Sequence, residues 1–344
     1  MINRPPDSAA DADVRSWPKL LLRYRDPRLG RSMGELAVTL APLVLLWVTM
    51  ALLSRISVWL VLPLALPAAF FVVRLFMIQH DCSHGAFFRQ RLLNSWVGRV
   101  AGVITMTPFD YWRRTHSIHH ATTGNLDQRG MGDIDTLTVR EYFARSRWGR
   151  FWYRLYRHPA VIFGVGPAYL FILQHRIPVG FLRSKDWGPW VSTMATNVGI
   201  AACAGLLIWR IGLVPFLVIQ SSIMVIAAAI GVWLFYVQHQ FERTRWEHTE
   251  EWDHTEAALF GSSHYALPKP LRWLTANIGV HHVHHLCSRI PFYRLPEVLR
   301  NHPELAAVGR IGLWQSFGCV RLTLWDEAKR QMVSFRSARL SYAK

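Results

Sequence analysis

Cysteine is scarce in this chain. Cys82, Cys203, Cys287 and Cys319 are the only ones in 344 residues, and no two stand as Cys-x-x-Cys. A disulfide framework and a cysteine-based zinc or iron–sulfur site are therefore not indicated. Acidic residues are also few, 22 against 39 Lys and Arg, for a net charge of +17. The zinc-protease helix His-Glu-x-x-His is missing. Of the Glu-x-x-His pairs used by soluble carboxylate di-iron bundles, only Glu251 with His254 occurs, in a charged stretch. Residues 1–35 are polar, Pro-containing and basic and lack an apolar core, so no cleavable signal peptide is expected.

Charge is absent from four long runs: 36–53, 56–73, 187–209 and 211–238. A helix needs about 20 apolar residues to cross a bilayer. A buried core helix explains one such run, but not four. Only Arg55 separates the first two runs and only Arg210 the last two. The expected fold is an all-α integral membrane protein of one domain, residues 1–344. Its four transmembrane helices would form two hairpins, with spans near 36–54, 56–78, 187–209 and 211–238. Residues 79–186 and 239–344 would make a cytoplasmic helical cap. Two shorter apolar stretches, 92–107 and 160–173, are too short to span and read as interfacial or re-entrant. Arg15, Lys19, Arg23, Arg25, Arg28 and Arg31 put the N-terminus in the cytoplasm by the positive-inside rule, and arginines in the middle loop and C-terminal region agree. Topology and anionic headgroups account for the basic excess more simply than nucleic acid does.

Histidine is what the chain has in abundance, 16 in all. Nine fall into clusters beside the apolar runs: His80 and His84 in HDCSH; His116, His119 and His120 in HSIHH; His239 in YVQHQFE; His281, His284 and His285 in HHVHH. Residues i, i+3 and i+4 share a helix face, so each HxxHH is expected to aim three imidazoles at one point. One HxxHH at a given start has a chance of roughly one in ten thousand, and two with an HxxxH are not coincidence. With four spans and two short outer turns, every cluster lies on the cytoplasmic side. The fourth run exceeds the bilayer thickness at about 1.5 Å per residue, so its helix can lift His239 to the level of His80. Imidazole suits iron, zinc, copper and nickel. One ion cannot use eight or nine histidines, so the reading is a histidine-dominated site for two ions.

A ligating histidine normally donates its second N–H to a carboxylate or carbonyl. Asp81, Asp110, Asp127, Asp135 and Glu242 are candidates by proximity in sequence. Asn277 precedes His281 by one helical turn. His264 is a weaker candidate to approach the site, and His282 lies off the stripe as a neighbour. His158, His175, His248, His254 and His302 read as scattered surface residues.

These boxes, their order and their placement resemble the membrane-bound fatty acid desaturases, from about residue 77 to residue 303. HDCSH is similar to the family's first box, and HSIHH and HHVHH to its second and third. The stretches YWRRTHSIHHATTGNLD and NIGVHHVHHLCSRIPFYRLPEVL resemble bacterial members of the Δ12 (omega-6) type. The resemblance implies two irons held by the eight box histidines, with His239 as a further ligand. It implies O₂ as co-substrate and a membrane acyl chain as substrate, receiving a cis double bond. It also implies the bacterial inner membrane as location, with both termini cytoplasmic. The HPGG loop of a fused cytochrome b5 is absent, since His158 and His302 are followed by Pro-Ala and Pro-Glu. A separate donor, a small acidic ferredoxin, is therefore expected, and the Arg-rich face can steer it. The alternatives are a membrane hydroxylase, ketolase or alkane hydroxylase on the same scaffold, and a metal transporter. The transporter fits poorly because the four runs carry no ionisable residue.

Overall fold

The computed structural model describes residues 9–342. Residues 1–8, which open the basic N-terminal segment read above, lie outside the described residues, as do 343–344. Helix α1 (Ala9–Leu21) precedes the first long helix, α2 (Leu29–Leu53). A 3-10 turn, Val58–Val61, leads into α3 (Leu62–Ser83). A first cap block follows: α4 (Arg91–Ile104), α5 (Phe109–Thr122), strand β1 (Leu137–Thr138), α6 (Val139–Ala144) and α7 (Arg147–Tyr156). Residues 161–173 form π turns around a short α8 (Gly166–Ala168). The second long pair is α9 (Gly188–Ile211) and α10 (Leu213–His239). The second cap block holds α11 (His254–Phe260), β2 (His264–Ala266), α12 (Lys269–Leu274), α13 (His281–Leu286), α14 (Leu295–Asn301), β3 (Arg310–Gly312), α15 (Leu313–Cys319), β4 (Leu324–Asp326), β5 (Gln331–Val333) and α16 (Phe335–Tyr342).

Among the described residues four helices are long and apolar enough to cross a membrane: α2, α3 with its lead-in turn, α9 and α10. They overlap the four uncharged runs. Helices α9 and α10 meet at Gly212, whose φ of 90° permits a one-residue reversal that a side chain would strain. Helix α3 is the inner member. Of its most apolar window 56% is buried, against 17% in α2 and in α9. Its buried face carries Ala65, Ala68 and Ala69, small residues that let α2 and α10 approach closely. The apolar runs end before the helices do. Helix α3 continues through Arg74 to Ser83 and α10 continues to His239, so both carry polar residues beyond the uncharged stretch.

The helical expectation holds, and the cap adds a few short strands. Parallel β1–β4 and antiparallel β4–β5 make a three-stranded sheet, and β2 pairs with β3 in parallel. These strands are two or three residues long. Alternation cannot be recognised over so short a span. Their effect is to pin the C-terminal chain to the cap. The 92–107 stretch becomes α4, which packs on α3 and α9, and the 160–173 stretch packs as irregular helix on α10. Neither reaches the length of a span.

Candidate metal centre

The nine histidines converge where the upper ends of α3 and α10 meet α5 and α13. They form two groups: His80, His84, His116, His120 and His284 in one, and His119, His239, His281 and His285 in the other. Within each group the candidate donor atoms lie within 4.8 Å of one another. The expectation that each HxxHH aims its three rings at one point is not met. From α5, His116 and His120 enter the five-histidine group and His119 the other. From α13, His281 and His285 enter the four-histidine group and His284 the other. The cause is helix geometry. At 3.6 residues per turn, i+4 lies about 40° to one side of i, and i+3 about 60° to the other. Adjacent histidines at i+3 and i+4 therefore straddle the helix face and serve different groups.

The donor atoms are closely spaced. The Nε2 atoms of His84 and His116, of His116 and His120, and of His120 and His284 are each 3.1 Å apart. In the second group Nε2 of His281 lies 3.0 Å from that of His239 and 3.1 Å from that of His285. A first-row ion bound by imidazole at about 2.0–2.1 Å sets cis donors about 3 Å apart. Burial first, and neighbouring imidazoles second, hold His84, His116, His120, His281, His284 and His285 well below the ordinary histidine pKa. They are neutral, with lone pairs available to a metal. The buried Nε2 of His119 has no hydrogen-bond partner among the described residues, although its Nδ1 has one. A bound cation would satisfy that nitrogen, so the donor set fits two transition-metal ions. No carboxylate belongs to either group among the described residues.

The residues that orient the rings differ in part from those expected. Asp81 does so: its Oδ1 is 3.4 Å from His80 Nδ1, and its Oδ2 accepts the Phe292 N–H at 2.7 Å. The main partner is Asp133, which the sequence reading missed, with Oδ1 2.5 Å from His119 Nδ1. Its signal was the glycine before it. Gly132 has φ 82°, and a Cβ there would meet Thr115 O at 3.1 Å and His119 Cβ at 3.2 Å, so the chain doubles back onto α5 at that point. Asp135 is two residues along and turned away; only its backbone is used, by Tyr153, Tyr156 and Arg157. The Gly261 carbonyl lies 3.3 Å from His239 Nδ1.

The other candidates are elsewhere. Asp110 pairs with Arg99 and Arg113. Asp127 holds His248 and the Thr249 N–H. Glu242 is exposed. Asn277 donates to the Phe292 carbonyl at 3.3 Å. His264 does not approach the centre; its Nδ1 contacts the Ala306 carbonyl and its ring faces His282. His282 lies off the stripe, as read, with Nε2 2.8 Å from the Leu305 carbonyl, and burial lowers its pKa to about 3. His175, read as a surface residue, is buried beside Tyr111 and Phe171.

Aromatic walls close the centre. Trp112, one turn before His116 on α5, stacks on it at 4.4 Å with 15° between planes. Phe235 lies 5.1 Å from His119 and 5.0 Å from His239. A small cleft borders the four-histidine group, lined in part by Thr123, Asp133, His239, Arg245 and Trp246. Beneath it the guanidinium of Arg157 donates to Asp135 O at 3.1 Å, Tyr236 Oη and Gln240 Oε1 at 3.0 Å, and Leu322 O at 2.9 Å. This buried cation ties the loop carrying Asp133 to the end of α10 carrying His239.

Comparison with known proteins gives a consistent answer. A family model described as fatty acid desaturase matches residues 57–317. A protein named fatty acid desaturase from Bacillus subtilis is 43% identical over 319 residues, which is 93% of this chain and 90% of that protein. A Synechocystis protein named sn-1 acyl-lipid omega-3 desaturase (ferredoxin) is 28% identical, over 71% of this chain and 68% of its own length. A Synechocystis sn-1 oleoyl-lipid 12-desaturase is 27% identical, over 64% of this chain and 62% of its own length.

Proposed function

The chain belongs to the fatty acid desaturase family and is an oxidoreductase acting on acyl lipids, and from that premise we propose that it introduces a cis double bond of the Δ12 (omega-6) type into a membrane acyl chain. The observation that carries this reading is the pair of all-histidine groups at the end of four membrane-length helices. An unactivated methylene has no acidity for a base to exploit, so a redox cofactor must carry the hydrogen removal. Two irons, when bound, supply the O₂-dependent redox chemistry that takes hydrogen from adjacent methylenes.

The protein's own contribution is holding and exclusion. His80, His84, His116, His120 and His284 hold one ion, and His119, His239, His281 and His285 the other. Asp133, Asp81 and the Gly261 carbonyl fix ring orientation. Trp112 and Phe235 keep bulk water from the rings. Helices α3 and α10 set the centre just above the lipid, at the level from which an acyl chain is presented. The electrons come from a separate ferredoxin, a reading supported by the Synechocystis relative named sn-1 acyl-lipid omega-3 desaturase (ferredoxin). The location is the bacterial cytoplasmic membrane, with both termini and the cap in the cytoplasm. The 12-desaturase among the relatives supports the regiochemistry.

The test is mass-spectrometric profiling of fatty acids, with double-bond location, in host membranes that express this chain with a ferredoxin system. New dienoic chains with the second bond at Δ12, absent from a His284→Ala variant, are expected. New bonds at another position would overturn the regiochemistry. Hydroxylated chains without new double bonds would overturn desaturation in favour of a hydroxylase.

A further inference from the structure

Helix α7 turns an apolar face outward. Trp148, Phe151, Trp152 and Leu155 are 72%, 50%, 62% and 41% exposed. Their spacing, i, i+3, i+4 and i+7, puts all four on one side of the helix. Arg147 flanks that side and Arg150 stands beyond it, whereas Arg154 is turned into the cap, where it donates to Tyr142 Oη at 2.5 Å and lies over the Tyr142 and Phe335 rings. The helix has no acidic residue, and none of these three arginines is ion-paired with a carboxylate among the described residues. The opposite side is fastened to the cap. Tyr153 Oη donates to Thr323 O at 2.8 Å, Tyr156 Oη accepts from Asp135 N at 3.1 Å, and Arg157, just past the helix, reaches Tyr236 and Gln240. The exposed face is therefore held rigidly outward, and its own residues give it no cover.

Its height follows from α10. Arg157 bonds Tyr236, three residues before His239, and Gln240, the residue after it, and Phe163, just after α7, packs on Trp233 at 5.0 Å and on Tyr236 at 5.1 Å. Helix α10, 27 residues long, exceeds the hydrocarbon thickness. Residues 233–236 thus stand at the level where the helix leaves the lipid. A second exposed aromatic pair, Trp314 and Phe317 of α15, flanks the same level, with Phe317 5.4 Å from Trp233. Beyond α7 the outward apolar surface continues through Val165, Tyr169 and Leu173 along α10. Aromatic residues at the boundary and arginines beside an apolar face are the features of a helix lying in the headgroup layer of an anionic membrane.

We infer that α7 is an in-plane membrane helix that recognises anionic phospholipid, with its aromatic face in the acyl boundary and Arg147 and Arg150 reaching the headgroups. The inference rests on the membrane reading of the four long helices and not on the reaction assigned to the histidines, so its failure leaves the desaturase reading intact.

The test uses the full chain with Phe151 replaced by a photo-crosslinking benzophenone amino acid. It is reconstituted in nanodiscs of phosphatidylcholine mixed with phosphatidylglycerol and irradiated, and the adducts are identified by mass spectrometry. Lipid adducts enriched several-fold in phosphatidylglycerol over its share of the bilayer are expected. Arg147→Gln with Arg150→Gln should abolish the enrichment while adducts persist. Adducts that mirror bulk composition in both proteins would overturn the anionic selectivity. A cross-linked dimer without lipid adducts would overturn the membrane assignment and give the face to a second copy. No adduct of either kind, with a label at Val165 still capturing lipid, would also overturn it.

Discussion

His119 and His120 are neighbours in sequence and belong to opposite halves of the centre. His120 Nε2 lies 3.1 Å from Nε2 of His284, whereas the His119 ring lies 4.7 Å from that of His239. Their loss should therefore be distinguishable by more than activity. If the chain holds the two irons proposed, His119→Ala and His120→Ala should each reduce iron from two to about one per chain, with different residual spectra, and each should lower turnover at least about 100-fold. Membrane insertion should be unchanged. His302→Ala is the control. Its ring contacts Trp17 and Arg23 far from either group, so both irons and wild-type turnover should remain. Identical metal loss in the two box variants would sink the two-group assignment, and metal loss in the control would show that the ligand set is wrong.

Among the described residues Asp133 is the one carboxylate in contact with His119. Removing the charge while keeping the shape, as in Asp133→Asn, should weaken metal retention or activity about 10- to 100-fold. Asp135→Asn should do little, because only the Asp135 backbone is engaged by its neighbours. Titrating each purified variant with a chelator and following iron release checks this pair. Equal behaviour of the two variants would remove Asp133 from its role.

What could be read beforehand followed the strength of the local signal. Four uncharged runs found four helices, because crossing a bilayer leaves a long, redundant pattern. The histidine boxes were found because three rings at helical spacing rarely coincide. The split of each box was missed because i+3 and i+4 were treated as one face although they stand about 100° apart on a helix; which group each ring then joins is set by the packing of α5 and α13 against α3 and α10. Asp133 was passed over for Asp135 because nearness in sequence says nothing about which of two alternating aspartates turns inward. Arg157 carried no signal at all. It sits in a run of arginines that reads as solvated surface, and it is buried only because Tyr236, Gln240 and the returning C-terminal chain surround it.

His248 gives a pH dependence far from the metal centre. Its Nδ1 is 2.8 Å from Asp127 and its Nε2 3.4 Å from Glu327, and these hydrogen bonds, Asp127's first, raise its pKa above the ordinary 6.5. The Thr249 N–H, and then His248, hold Asp127 down to about 2. A raised histidine contributes fully below 6.5, and the contribution fades as pH climbs through the raised value. The lowered aspartate contributes above 3.8 and loses that only as pH falls toward 2. Both groups are solvent-exposed, so the effect is small and salt-sensitive. The Tm of His248→Gln should fall below wild type at about pH 5 and meet it by about pH 9. A gap independent of pH would mean that the imidazole acts through packing alone.

Glu35 and Arg74 make the most costly polar contact within the long helices. Arg74 is 1% exposed and Glu35 4%. Arg74 bonds Glu35, Thr39 Oγ1 and the Trp273 carbonyl, and its guanidinium stacks over Trp273 with its carbon 4.2 Å from the ring centroid. Arg31, mostly exposed, reaches Glu35 from the same helix at 2.7 Å. The pair locks α2 to α3 and ties both to α12. Glu35→Ala leaves a guanidinium buried without its anion, and should cost about 3–5 kcal/mol. Replacing both partners, Glu35→Leu with Arg74→Met, removes the stranded charge and should recover much of that loss, because desolvating two ions offsets most of their attraction. Thermal unfolding in lipid nanodiscs separates the cases. A double variant less stable than Glu35→Ala would show that the ion pair itself, beyond the avoidance of a lone charge, holds the two helices together.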